Sequence, residues 1–336
     1  MISLIARRLL QLPLILLVIY TLTLTLAWAI PGSPLDKPEG RQPPAEVREA
    51  MLRQYDLHSF PRFYFSYLSN ALGVRYVSDS VSGRAAGRAQ AAAQAHQAPP
   101  PRFVFDLGPS LQYEDWRVND IIASSLPVSM SLGLVAVVLA TMLGVAAGVI
   151  GAARPGTLLD HATLLIALIG VSLPSFVVGT ALLVVFPIGL GIGSVGGWGT
   201  PGKMVLPAIT LALPLAAYIA RLTRMGMVEH LRADFIRTAR AKGASEASVL
   251  LKHALKPAFL PVLSFLGPAC AMAMTGSFVV EKVFSIPGLG QHFVNAVLNK
   301  DLFLIIGVVL IYATLLVLLN LAVDVLYRWI DPRTEP

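Results

Sequence analysis

Charge is scarce in this chain. Only 13% of its 336 residues are Asp, Glu, Lys or Arg, about half the share usual in a soluble domain. Cysteine is nearly absent. The single Cys270 cannot close an internal disulfide, which excludes a scaffold stapled by cross-links. No stretch reads H-E-x-x-H or G-x-S-x-G. The histidines at 58, 96, 161, 230, 253 and 292 are scattered and show no ligand spacing. No catalytic residue and no metal site is therefore expected. The net charge of +7 would raise nucleic acid as a partner of a soluble protein. Basic residues retained beside a membrane account for it here, and no nucleic-acid partner is expected.

What fills the chain is apolar: 55% of residues are hydrophobic, and mean hydropathy is +0.69. A helix needs about 20 apolar residues to cross about 30 Å of hydrocarbon. Six runs meet that need, at 9–30, 126–152, 158–188, 204–220, 258–280 and 303–326. The first follows Arg7-Arg8 and ends in Ala27-Trp28-Ala29, as a secretory leader would. Its apolar run is longer than the roughly 7–15 residues of a leader core, so a retained helix is expected. The expected fold is an all-α integral membrane protein with six transmembrane helices. Residues 1–30 form the first helix, 31–120 a long extracytoplasmic segment, and 121–330 a five-helix core.

Orientation follows from Lys and Arg in the short loops. After the fourth run come Arg221, Arg224, Arg232, Arg237, Arg240, Lys242, Lys252 and Lys256. Arg7, Arg8, Arg154, Arg328 and Arg333 fall on that same side, against only Lys203, Lys282 and Lys300 opposite. Both termini and the basic stretch are thus expected in the cytoplasm, with the chain in a bacterial inner membrane. The 31–120 segment is basic as well, but long translocated segments escape this bias. Within it, FPRFYFSYLSNALGVRY at 60–76 suits either a short helix in the membrane interface or a local hydrophobic cluster. The Ala-, Gln- and Pro-rich stretch at about 78–102 reads as a flexible or partly helical insertion.

One apparent phosphate loop fails. GWGTPGKM at 197–204 fits G-x4-G-K, but Met204 stands where a Ser or Thr hydroxyl would hold magnesium. Any ATP and magnesium would therefore sit on other chains. Pro174, Pro207, Pro214, Pro261 and Pro268 favour bent helices. Gly144, Ala147, Gly148 and Gly151 permit close helix approach. Asp324 near a helix end suits capping or pairing with an arginine.

The informative stretch is FIRTARAKGASEASVLLKHALKPAFLP at 235–261. Val228, Leu231, Phe235 and Ala239 recur at helical spacing among basic residues, the pattern of an amphipathic helix. Gly243 can take φ > 0 and end that helix, and Ser245 can cap a second one. The neighbouring inner loops are short, so the apolar side is expected to be covered by a partner protein. A basic helix lying on anionic lipid is the alternative.

That stretch resembles the EAA loop of ABC importer permeases, E-A-A-x3-G-x9-I-x-L-P. Ala239, Gly243 and Leu255 match; the acidic residue and the final proline do not. Arg237-Thr238-Ala239-Arg240, Lys242-Gly243 and His253-Ala254-Leu255-Lys256 look like the peptide-permease branch. RRLLQLP, FDLGPSLQY, VNDIIASSLPVS, PSFVVG, TGSFVVEKVFSIPGLGQHFVNAVLNKD and NLAVDVLYRWIDPR extend the likeness to the B permease of oligopeptide importers. The resemblance implies a type I importer fold and a transporter subunit that is not itself an enzyme. It implies four kinds of partner: a second homologous permease, two cytoplasmic ATPases, an extracytoplasmic binding protein and a peptide cargo. Residues 228–257 would be the coupling loop, with Phe235, Arg237, Thr238, Arg240 and His253 among its contacts. Ser285, Pro287, Gly288, Leu289 and Gly290 would form an outer turn near the pathway. Dipeptides, nickel chelates or glutathione are alternative cargoes. A self-sufficient secondary transporter is the alternative of another class.

Overall fold

The computed structural model describes residues 2–36, 44–94, 104–113, 115–275 and 277–330. Helix dominates, and among the described residues the only β pairing is an isolated bridge between Pro109 and Arg117. Apolar runs leave the backbone no water to bond, so each closes its own hydrogen bonds as a helix. Five helices are long and apolar enough to span a membrane: Ile5–Ala29, Val118–Ala153, Pro201–His230, Leu260–Val283 and Leu302–Leu326. The pair Leu158–Ser172 and Ser175–Gly189 is apolar and long enough only when taken together, as a broken span or a re-entrant loop, and is bent by 103°. The break falls where Leu173 (φ −85°, ψ 128°) precedes Pro174. A proline ring pushes the residue before it out of the helical region, which ends the first half there.

The chain order is α1 (Ile2–Ala29), α2 (Ala45–Gln54), α3 (Phe60–Ala71), α4 (Val74–Val81), α5 (Arg84–Gln94), α6 (Val118–Ala153), α7 (Leu158–Ser172) and α8 (Ser175–Leu183). Then come α9 (Pro201–His230), α10 (Asp234–Ala241), α11 (Glu246–Ser248), α12 (Leu255–Ala258), α13 (Leu260–Thr275), α14 (Phe278–Val283), α15 (Leu289–Leu298) and α16 (Leu302–Ile330). π-Helical turns follow α8 at Val184–Gly189 and α11 at Val249–Ala254.

The chain divides into two compact units. One comprises 1–14, 125–291 and 312–336. Its core joins Val137 and Ala140 of α6 to Ala212, Leu215 and Ile219 of α9 and to Val262, Ala269 and Ala273 of α13. The approach of α6 to α9 is close: a Cβ at Gly148 would lie 2.5 Å from Thr223 Cβ. Small residues at that crossing are what membrane helices use to pack. Asp160, 2% exposed, accepts from Arg224 Nε at 2.5 Å and Nη2 at 2.7 Å, tying α7 to α9. Arg8 Nη2 donates to Asp324 at 2.9 Å, so the acid near the end of α16 has an arginine partner, one of the two roles expected for it.

The other unit comprises 15–124 and 292–311. Of the two roles open for 60–76, the structure shows the packed cluster. Phe63 and Tyr67 of α3 are buried, with ring centroids 5.7 Å from Trp28 and 5.8 Å from Tyr20 respectively, and each meets Phe303. Helical spacing sets Phe63 and Tyr67 on one face. Asp301, fully buried, accepts from Ser110 Oγ at 2.5 Å and from the Leu111 and Gln112 amides at 2.9 and 3.2 Å. Its other oxygen caps α16 through the Leu304 amide, 3.2 Å away. Burial pushes the Asp301 carboxyl up from its usual range, while these hydrogen bonds pull it down. In the insertion, α5 covers Arg84–Gln94, and 95–102 lies outside the described residues.

Candidate functional site

The basic stretch folds as an elbow. α10 buries Ile236 and Ala239, three residues apart and therefore on one face. Their cover is Met227 of α9, Ala152 at the end of α6, and Val249, Ala254 and Ala258 further along the elbow. This corrects the expectation that only a partner would cover the apolar side. α6 and α9 both run past their apolar sections and supply the floor themselves. The spacing also pointed at Phe235, whereas its neighbour Ile236 is the fully buried residue and Phe235 is 47% exposed. Gly243 turns the chain at φ +80°, with nothing within 4 Å of where a Cβ would stand. Ser245 Oγ accepts from the Ser248 amide at 3.4 Å and starts the second limb.

Of the residues singled out in sequence, Ala239 and Leu255 pack toward the elbow's own core. Phe235, Arg237, Thr238, Arg240, Lys242, Gly243, His253 and Lys256 are exposed. Arg240 donates to Glu246 at 2.9 and 3.1 Å and so joins the two limbs, while Arg237 pairs with Asp234 at 3.2 Å. Lys242, Lys252 and Lys256 form no ion pair among the described residues. The elbow thus presents one aromatic ring and several uncompensated cations on a rigid, internally packed mount.

Of the stretch from Ser285 to Gly290, residues 285–288 lie in a turn, while Leu289 and Gly290 open a helix. Ser285 sits at φ +51°, and α15 begins at Leu289. Sequence reasoning missed what holds it. Glu281 of α14 is fully buried and accepts from Ser129 Oγ at 2.7 Å, Ser277 Oγ at 2.6 Å and the Gln291 amide at 3.2 Å. Ser129 in turn accepts from the Leu289 amide at 2.9 Å. Two glycines make room: a Cβ at Gly288 would lie 2.4 Å from the carboxyl carbon, and one at Gly290 2.9 Å from Oε2. No Lys or Arg pairs with Glu281 among the described residues. Dipoles alone satisfy it, as buried polar groups require. The local signal was Ser277 four residues before Glu281, one helical turn apart. The decisive partner, Ser129, is 152 residues away.

Residues 126–336, which include both elbow and turn, match the family described as binding-protein-dependent transport system inner membrane component. The chain belongs to that family. A relative in it, the oligopeptide transport system permease protein OppB of Haemophilus influenzae, is 46% identical over 230 residues, 68% of this chain and 75% of the relative. OppB of Escherichia coli K12 is 47% identical over the same share. The dipeptide transport system permease protein DppB of Bacillus subtilis is 37% identical over 320 residues, 95% of this chain and 94% of the relative. Among solved structures, an inward-facing methionine ABC transporter, MetNI, superposes with a TM-score of 0.51 at 18% identity, covering 63% of this chain and 97% of that one. At that identity the likeness shows the fold alone, the helical fold of type I importer permeases.

Proposed function

We propose that the chain is one of two membrane-spanning permease subunits of an ATP-driven peptide importer. An extracytoplasmic binding protein hands over the peptide, and two ATPases on the other side supply the work. The observation that carries the peptide cargo is the 46–47% identity to oligopeptide permeases. The elbow is the lever. Ile236 and Ala239 fix α10 to α6 and α9, so a push on Phe235 or Arg237 from an ATPase groove moves the spans with it. Closure of the ATPases then switches the pathway between inward- and outward-open states. Both termini and the elbow face the cytoplasm, and the 284–288 turn faces outward.

Mild-detergent purification is expected to bring down a homologous permease and two ATPase chains. In proteoliposomes, ATP is expected to drive uptake of a labelled tripeptide or tetrapeptide when the binding protein is present. Uphill transport by the isolated chain overturns the proposal. A dipeptide cargo is the second reading, favoured by the dipeptide permease that aligns over 95% of this chain. Competition between dipeptides and tetrapeptides for uptake separates the two.

A further inference from the structure

The unit built from 15–124 and 292–311 contains a cavity of about 290 Å³ that the transport scheme leaves unused. Its floor is aromatic: Phe63, Tyr67 and Phe303 are all at most 5% exposed. Its charged groups are Arg75, Arg117 and Asp106. Arg117 spends Nη2 on both oxygens of Asp106, each at 2.6 Å, but its buried Nε has no hydrogen-bond partner. Arg75 also lines the cavity, is exposed, and makes no ion pair among the described residues. The side-chain amide of Asn70, also in the lining, makes no hydrogen bond among the described residues. Two arginines against one aspartate leave the cavity one positive charge in excess.

We propose that this cavity binds a carboxylate, held by the guanidinium of Arg75, the Nη1 of Arg117 that is not spent on Asp106 and the amide of Asn70 above the aromatic floor. Guanidinium is the group that best matches a carboxylate's two oxygens. The volume is just under the usual range of ligand sites, about 300–1,000 Å³, which suits a single residue and not a whole peptide. A chain-terminal carboxylate with its last side chain on the rings fits that size. So does an acidic side chain of a docked extracytoplasmic protein. The shared chemistry is a carboxylate with an apolar stem. The peptide source alone rests on the function proposed above.

The test uses the assembled complex in nanodiscs, without binding protein, titrated with the tripeptide Ala-Ala-Phe and with its C-terminal amide. The free acid is expected to bind about tenfold more tightly than the amide, the value of about one charge-assisted hydrogen bond. Arg75→Gln and Asn70→Ala are each expected to weaken the acid by about fivefold and leave the amide unchanged. Both positions lie away from the core, so the variants fold. If the tripeptide does not bind but Arg75→Gln weakens docking of the purified binding protein about fivefold, the carboxylate belongs to that protein and the chemistry stands. Equal binding of acid and amide, or indifference of both probes to Arg75 and Asn70, overturns the proposal. ATP-driven uptake of the same tripeptide in proteoliposomes reports separately on the transport function.

Discussion

The elbow at 234–258 buries Ile236, Ala239, Val249 and Ala254 and leaves its charges in water. The turn at 284–288 does the reverse: it hides Glu281 completely and ties backbone amides to it through Ser129 and Gln291. Apolar packing is non-directional and tolerates small shifts. A hydrogen-bonded carboxyl fixes position and orientation, and fails if one partner moves. The contrast fits a division of labour. The elbow is a mount whose outer face is free to meet another protein, while the turn is locked into its own chain.

The largest expected effect is on the turn. Glu281→Ala strips three donors of their acceptor. Ser277 Oγ has the Met274 carbonyl in reach at 3.3 Å and so loses least. At about 1–3 kcal/mol for each donor left unsatisfied, the expected loss is about 2–6 kcal/mol. It is read as a lower thermal midpoint and as thiol labelling of Leu289→Cys, a position fully buried in the parent chain. An unchanged midpoint with Leu289→Cys still protected breaks the comparison.

Neighbouring residues in α10 give the next test. Ile236→Ala empties a buried site and is expected to cost about 2–5 kcal/mol. Phe235→Ala removes a half-exposed ring and is expected to change stability by no more than about 0.5 kcal/mol. Its effect is expected in uptake per ATP hydrolysed. Equal stability losses in the two variants would show that Phe235 is part of the mount and not of its outer face.

Gly243→Val is smaller in stability. No atom crowds the site, so the penalty is that of a left-handed backbone, about 1–2 kcal/mol for an ordinary residue. Uptake is expected to fall while the amount of protein in the membrane stays level. Gly243→Asn, which tolerates that backbone, is expected to retain most uptake. If valine and asparagine behave alike, φ at 243 is not what matters.

Much of this was legible in the chain because it depends on neighbours in sequence. Six runs gave the spans, Pro174 lies at the 103° bend of the third, and Gly243 and Ser245 marked the elbow's turn and second start. Contacts across long separations were not legible. Ser129 gives no hint that it meets Glu281, nor Ala152 that it lies under Ile236. Periodicity named the wrong residue of an adjacent pair because Phe235 and Ile236 are both apolar, and only the positions of α6 and α9 decide which one is covered. Asp160, in the third apolar run, and Arg224, in the basic stretch after the fourth, stand apart in the sequence, which gives no sign that they pair.

The same substitution made at two glutamates sharpens the comparison most cleanly. Glu246→Gln and Glu281→Gln each replace one carboxyl oxygen with an amide nitrogen and keep the other oxygen. Glu246 is 66% exposed, and its partner Arg240 is also largely in water. Water and salt screen such a pair, so Glu246→Gln is expected to leave the thermal midpoint unchanged at low and high salt. Glu281→Gln replaces an acceptor oxygen with an amide in a site where three donors converge. One of them must then turn away or face another donor, and no water compensates it. The midpoint is expected to fall, by less than in Glu281→Ala, and salt is expected not to restore it. Equal midpoints for the two glutamine variants would mean that the turn, like the elbow, is held by apolar packing around Phe284 and Ile286 and not by its buried acid.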